Sequence, residues 1–134
     1  MNTECRSLPV RDFLAMRLAA VAMQYTRSPR PQYRLCFRLN MTNEGSSSVR
    51  LLGRKWILRE RNGCTRIIEA DQVFNQRPVL MPGEVFAYSG YRILDTALEE
   101  EVELRFFGTD RSQSPFISPP LRFPRRCFSR PRRG

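Results

Sequence analysis

The strongest constraint on this chain is a strict two-residue period. In the stretch 33–43, Tyr33, Leu35, Phe37, Leu39 and Met41 alternate with Arg34, Cys36, Arg38 and Asn40. Only an extended backbone sends alternate residues to opposite faces, so this pattern specifies a half-buried strand with its charges in water. The same period recurs in 101–108, where Val102, Leu104 and Phe106 alternate with Glu101, Glu103 and Arg105, and in 85–88, where Phe86 and Tyr88 alternate with Val85 and Ala87. The stretch 64–70 reads as a further strand. The prolines of 114–123 suit a final extended piece at a sheet edge. The segment 11–23 is rich in good helix formers, yet Leu14, Met16, Leu18, Ala20 and Ala22 also alternate, and it is read as a first strand.

Turn chemistry joins these pieces. Asn62-Gly63 reads as a hairpin turn because both residues accept positive φ. Pro82-Gly83 reads as a type II turn, with proline presetting φ and glycine supplying the positive φ that follows. About seven short strands and no convincing helix predict an all-β, antiparallel β-sandwich. A chain of 134 residues is the right size for one such domain.

The stretch "LLGRKW", 51–56, does not alternate cleanly. Leu52, Arg54, Trp56 and Leu58 share one parity, and Leu51, Gly53, Lys55 and Ile57 share the other. A regular strand cannot bury the apolar groups of both. A β-bulge near Gly53 resolves the conflict: Val49 and Leu51 face the core before it, Trp56 and Leu58 after it. Lys55 is then expected in water, and Arg54 either holds a neighbouring loop or faces a partner.

Composition narrows the chemistry. The sequence contains no histidine, which removes Ser-His and Cys-His nucleophile schemes and histidine metal sites. Cys5, Cys36, Cys64 and Cys127 form no C-x-x-C pair and are widely scattered. Reduced thiols in a cytoplasmic protein fit this pattern, with Cys36 expected in the core. No apolar run is long enough to cross a bilayer, and Arg17 interrupts a faint signal-peptide outline at 11–23.

The net charge is +10, and it is uneven. The body, 39–121, is nearly balanced, whereas 1–38 and 122–134 are basic. Lys55 is the only lysine. The tail, 124–134, is expected to be disordered. Across 122–134, Arg122, Arg125, Arg126, Arg130, Arg132 and Arg133 are interleaved with Phe123 and Phe128, a composition suited to phosphate neutralisation and base stacking. Any weak affinity for RNA or another polyanion is expected in this tail rather than in the sandwich.

"LLGRKWIL" followed by "NG", then Pro78, "PGE" (82–84) and Tyr88, resembles the ApaG domain across about 25–123, with 1–24 as an N-terminal extension. The resemblance implies an immunoglobulin- or fibronectin type III-like sandwich. It also implies a non-catalytic binding module for an unidentified protein partner, and a family-level link to cobalt and magnesium tolerance. No cofactor, membrane or small-molecule substrate is implied.

Two departures from the family pattern stand out. A glycine-rich stretch suggested to bind pyrophosphate is replaced by Ala70-Asp71-Gln72-Val73-Phe74-Asn75. Side chains there, and the charge of Asp71, oppose a bound phosphate. Arg54, Asp71, Gln72 and Asn75 become candidates for partner contacts instead, together with the loops 43–48, 70–77 and 108–115. The second departure places Glu99, Glu101 and Glu103 on one strand face. Adjacent carboxylates repel unless something positive lies between them. The readings are a weak divalent-cation site or a contact for a basic partner, against a solvated edge or a local match for nearby arginines.

Overall fold

The computed structural model describes residues 8–27, 29, 32–60, 63–70, 76–94 and 99–123, with Leu94, Glu99 and Glu100 described by backbone alone. Among the described residues nine strands follow in order: β1 (Leu14–Thr26), β2 (Gln32–Asn43), β3 (Val49–Glu60), β4 (Thr65–Ala70), β5 (Val79–Leu80), β6 (Val85–Leu94), β7 (Glu99–Asp110), β8 (Pro115–Ile117) and β9 (Leu121–Arg122). They form a small sheet ordered β1-β2-β6 and a large sheet ordered β4-β3-β7-β8, with β5 added to β3 and β9 to β7. Every pairing between these strands is antiparallel. The sandwich is as the periodicity predicts, and the segment at 14–26 is a strand.

One core joins the sheets. Leu35, Phe37, Leu39 and Met41 of β2 are buried opposite Val49, Leu51, Trp56 and Leu58 of β3 and Val102, Leu104 and Phe106 of β7. Phe37 is its aromatic centre, with ring centroids 5.5 Å from Trp56, 5.3 Å from Phe123 and 5.8 Å from Tyr88. Trp56 and Phe123 stack at 5.7 Å. Edge and offset contacts of this kind add to the burial of the rings themselves. Trp56 is an internal anchor, not a displayed side chain.

The bulge falls where the parity of β3 requires it. Leu51 pairs with Gly108 and Gly53 with Phe107, so Leu52 is the extra residue. Val49 and Leu51 are buried before the shift, and Trp56 and Leu58 after it. A Cβ at Gly53 would run into the Ala70 carbonyl and the Phe107 ring, so the glycine is there for close approach.

The turns follow their chemistry. Glu84 N donates to Met81 O at 2.9 Å and Gly83 has φ +82°, the type II geometry expected of Pro82-Gly83. At the β3–β4 hairpin Gly63 takes φ +90°, and its N–H and the Glu60 N–H close a three-residue loop onto Glu60 and Cys64. Asn62 lies outside the described residues.

The final piece is divided. β8 and β9 both pair with β7, separated by Ser118-Pro119-Pro120. Ser118 is buried and bonds Phe106 twice: its N–H donates to Phe106 O, and its Oγ accepts from Phe106 N at 2.9 Å. A hydroxyl thus keeps the strand attached where two prolines, which lack an N–H, follow. On the outer side of β8, Val10 bridges Ile117, and residues 9–11 exchange backbone hydrogen bonds with it.

The two sheets differ in charge. The large-sheet strands carry Arg50, Arg54, Lys55, Arg59, Arg66, Arg105 and Arg122 against Glu60, Glu69, Glu99, Glu100, Glu101, Glu103 and Asp110. The small-sheet strands carry Arg17, Arg34, Arg38 and Arg92 and no acidic residue. No helix among the described residues is long and apolar enough to cross a membrane.

Candidate functional site

One end of the sandwich is organised by Asn43, the last residue of β2, which has no exposed surface. Its parity continues the inward row of Leu39 and Met41, so a polar side chain enters the core margin and must be satisfied there. The Asn43 amide donates to Ser47 O at 3.0 Å and Leu80 O at 2.9 Å, and its Oδ1 accepts from Gly45 N at 2.9 Å. Its backbone N–H donates to Glu84 O and its carbonyl accepts from Gly83 N. One residue therefore locks the 44–48 loop, β5 and the 81–84 turn to β2. Glu84 adds a carboxylate bond to Met81 N at 2.8 Å. Met81, which opens this locked turn, and Val85, the first residue of β6 after it, are 56% and 58% exposed.

Arg54 lies one bulge away from the buried row. It shares the inward parity of Trp56 and Leu58 and is half-buried. Its register partners are Ala70 on β4 and Phe106 on β7. Burial pushes the Tyr88 phenol above its ordinary pKa, and the Arg54 charge opposes that shift. Arg54 thus faces inward within electrostatic reach of Tyr88 on the small sheet, in register with Ala70 at the end of β4.

A third cluster lies on the outer face of the large sheet. Glu103 sits mid-sheet, opposite Ile57 on β3 and Arg122 on β9, and is 4% exposed. Its Oε1 accepts from Arg59 Nη1 at 2.8 Å and Arg122 Nε at 3.2 Å. Glu101 shares Arg59 at 3.5 Å. Burial pushes the Glu103 carboxyl up, but the hydrogen bonds and charges of Arg59 and Arg122 outweigh it and hold the pKa below the ordinary value. A cavity of about 470 Å³ opens beside these groups, floored by Val102 and Phe123.

The arrangement answers parts of the sequence reading. Glu101 and Glu103 each meet a guanidinium, and the Glu99 side chain lies outside the described residues. No group of three metal-ligating side chains forms among the described residues. Arg122 joins the Glu103 cluster, while Arg125, Arg126, Arg130, Arg132 and Arg133 lie outside the described residues, as do Asp71, Gln72 and Asn75. Two expectations change. Lys55 reaches Glu69, its cross-strand neighbour, at 3.8 Å and is only 28% exposed. Cys36 is not a core residue: it is half-buried on the outer face of the small sheet, where the charged parity of β2 places it. Asn43 was the residue that sequence reasoning missed, because "NEGSSS" reads as loop. Its signal was an asparagine in phase with the apolar row of β2.

Known proteins give this geometry a family. The model of the ApaG domain family matches residues 23–100. The chain is 32% identical to Protein ApaG of Methylococcus capsulatus over 58% of this chain and 62% of that protein. It is 31% identical to Protein ApaG of Acidovorax sp. over 72% of this chain and 70% of that protein. The chain thus spans less than two thirds of the Methylococcus relative's length. A crystal structure of a Bordetella pertussis protein given the name ApaA superposes with a TM-score of 0.63 at 24% identity, covering 86% of this chain and 94% of that one. An X-ray structure from a structural genomics consortium superposes with a TM-score of 0.69 at 20% identity, covering 83% and 86%. At these identities the superpositions speak for the fold.

Proposed function

The chain belongs to the ApaG domain family, and from that premise we propose that it is a non-catalytic binding module that docks a protein partner on the Asn43-organised end of its sandwich. The observation that carries this reading is the pair Met81 and Val85, more than half exposed at the start of, and just after, a turn that Asn43 and Glu84 hold in place. Exposed apolar groups gain most by docking, and a turn already fixed loses little conformational freedom when it does so. The absence of histidine from the sequence supports a binding role over acyl-transfer chemistry. Arg54 and the 71–75 segment, where the family's glycine-rich stretch is replaced, are proposed as secondary contacts.

The test is affinity capture with the full chain from lysate of its native host at moderate salt, followed by crosslinking mass spectrometry. Crosslinks to one protein that concentrate near 43–48 and 81–85, and that vanish in a Met81→Asp, Val85→Asp double variant of unchanged fold, support the reading. Capture indifferent to that variant, or partners released entirely by salt, refutes it. The family's link to cobalt and magnesium tolerance is carried to this chain as a proposal too. Loss of the gene is then expected to change the host's growth under cobalt, and unchanged growth counts against it.

A further inference from the structure

The outer face of the small sheet carries a second pattern, independent of the Asn43 end. The β1-β2-β6 register aligns its outward residues in rows: Gln24, Arg34 and Ile93; Ala22, Cys36 and Tyr91; Ala20, Arg38 and Ser89; Arg17, Asn40 and Ala87. Arg17, Arg34 and Arg38 are exposed, and no carboxylate occurs anywhere in the three strands. Tyr91 is 60% exposed, with the Arg34 guanidinium 4.7 Å from its ring centroid. Beside them lies a shallow hollow of about 320 Å³, whose lining includes Ala20, Ala22, Cys36, Arg38, Ser89 and Gly90. The nearest described carboxylates, Asp12, Glu44 and Glu84, flank only the end where β1 and β6 begin and β2 ends.

We propose that this face is a platform for single-stranded nucleic acid, with Arg17, Arg34 and Arg38 taking backbone phosphates and Tyr91 and the adjoining hollow receiving unpaired bases. Charge complementarity selects a polyanion, since nothing negative on the three strands offsets the arginines. The aromatic ring selects a single strand. A duplex keeps its bases stacked inside and offers Tyr91 no π-face, whereas an unpaired base stacks on it and on the guanidinium already held there. The small side chains of the lining let a base approach the sheet closely, which a long side chain at Ala20, Ala22 or Ser89 would prevent. The proposal assigns nucleic-acid affinity to the sandwich, beyond any contributed by the arginine-rich tail.

The experiment uses the full chain, so that the tail is constant throughout. Fluorescence polarisation at low salt compares a labelled 12-nucleotide single-stranded RNA with the duplex of the same sequence. The single strand is expected to bind more tightly. Tyr91→Ala is expected to weaken it about 5- to 100-fold, with Tyr91→Phe retaining most of the affinity. Arg34→Ala with Arg38→Ala is expected to reduce the log–log salt slope by about 1.4. The charge-matched pair Arg50→Ala with Arg111→Ala, on the large sheet and its β7–β8 loop, is expected to leave affinity within about 2-fold if those arginines meet no phosphate. Bound RNA is also expected to slow alkylation of Cys36, read peptide by peptide, and to leave Cys64 unchanged. Equal losses from the two arginine pairs, tighter duplex binding, an indifferent Tyr91→Ala or no binding at all overturns the proposal.

Discussion

The two sheets face the same core and handle charge in opposite ways. On the large sheet cationic and acidic side chains are interleaved, and the register brings opposite signs together: Lys55 meets Glu69, and Arg59 and Arg122 converge on Glu103. On the small sheet the arginines have no acid on their own strands to meet, and Arg34 lies against an aromatic ring instead. Charge on the large sheet is therefore largely used within the fold. Arg17, Arg34 and Arg38 of the small sheet are left facing outward. The contrast separates residues whose removal disturbs stability from residues whose removal disturbs binding.

Substitutions can break or sharpen that contrast. The largest effect is expected at the bulge that switches the large sheet's buried face. Gly53→Ala places a methyl against the Ala70 carbonyl and the Phe107 ring and is expected to cost about 3 kcal/mol in urea unfolding. An effect below about 1 kcal/mol would mean that β3 relaxes without a bulge glycine. Next is Asn43→Ala, which leaves the buried Leu80 carbonyl without its side-chain donor and frees the 44–48 loop. A loss of about 2 kcal/mol is expected, with faster hydrogen exchange at Gly45.

Glu103→Gln comes third, at about 1 kcal/mol near neutral pH, because Arg59 and Arg122 remain partly solvated. This variant also carries a pH signature. The folded-state pKa of Glu103 is depressed, so its stabilisation is complete above the unfolded-state value and is lost as pH falls through the lower folded value. Acid unfolding monitored from about pH 5 downward should therefore become shallower in the glutamine variant. The smallest effect is expected on the small sheet: Arg38→Ala should change stability by less than about 0.5 kcal/mol. If it instead costs as much as Glu103→Gln, the division between the sheets fails.

Much of the fold was legible because it rests on local rules. The period of β2 required an inward row at Leu35, Phe37, Leu39 and Met41, and each is buried. The parity conflict in "LLGRKW" required a bulge, and the register shifts there. Pro82-Gly83 specified its turn by φ alone. Other features left no local trace. The β7–β8 loop closes with Gln113 at φ +62°, where glycine or asparagine would have signalled the turn, and Asp110 Oδ1 accepts from Ser114 N to help hold it. The piece 114–123 reads as one strand, and only its pairing with β7 shows the interruption at Ser118. Glu103 carries the pattern of a wet face, yet Arg122, nineteen residues away, helps cover it.

The sequence by itself determined which residues face inward, where the chain turns, and that no histidine chemistry is available, because alternation, φ preference and side-chain identity are properties of short segments. The tertiary structure alone decided that Asn43 is a hub, that Glu101 and Glu103 meet arginines, and that Arg17, Arg34, Arg38 and Tyr91 share one face, on strands that carry no carboxylate. Those outcomes depend on which strands become neighbours and in what register. Hydrogen bonds and charge contacts act over a few ångströms, so residues far apart in the chain acquire a common role only after the sheets have assembled.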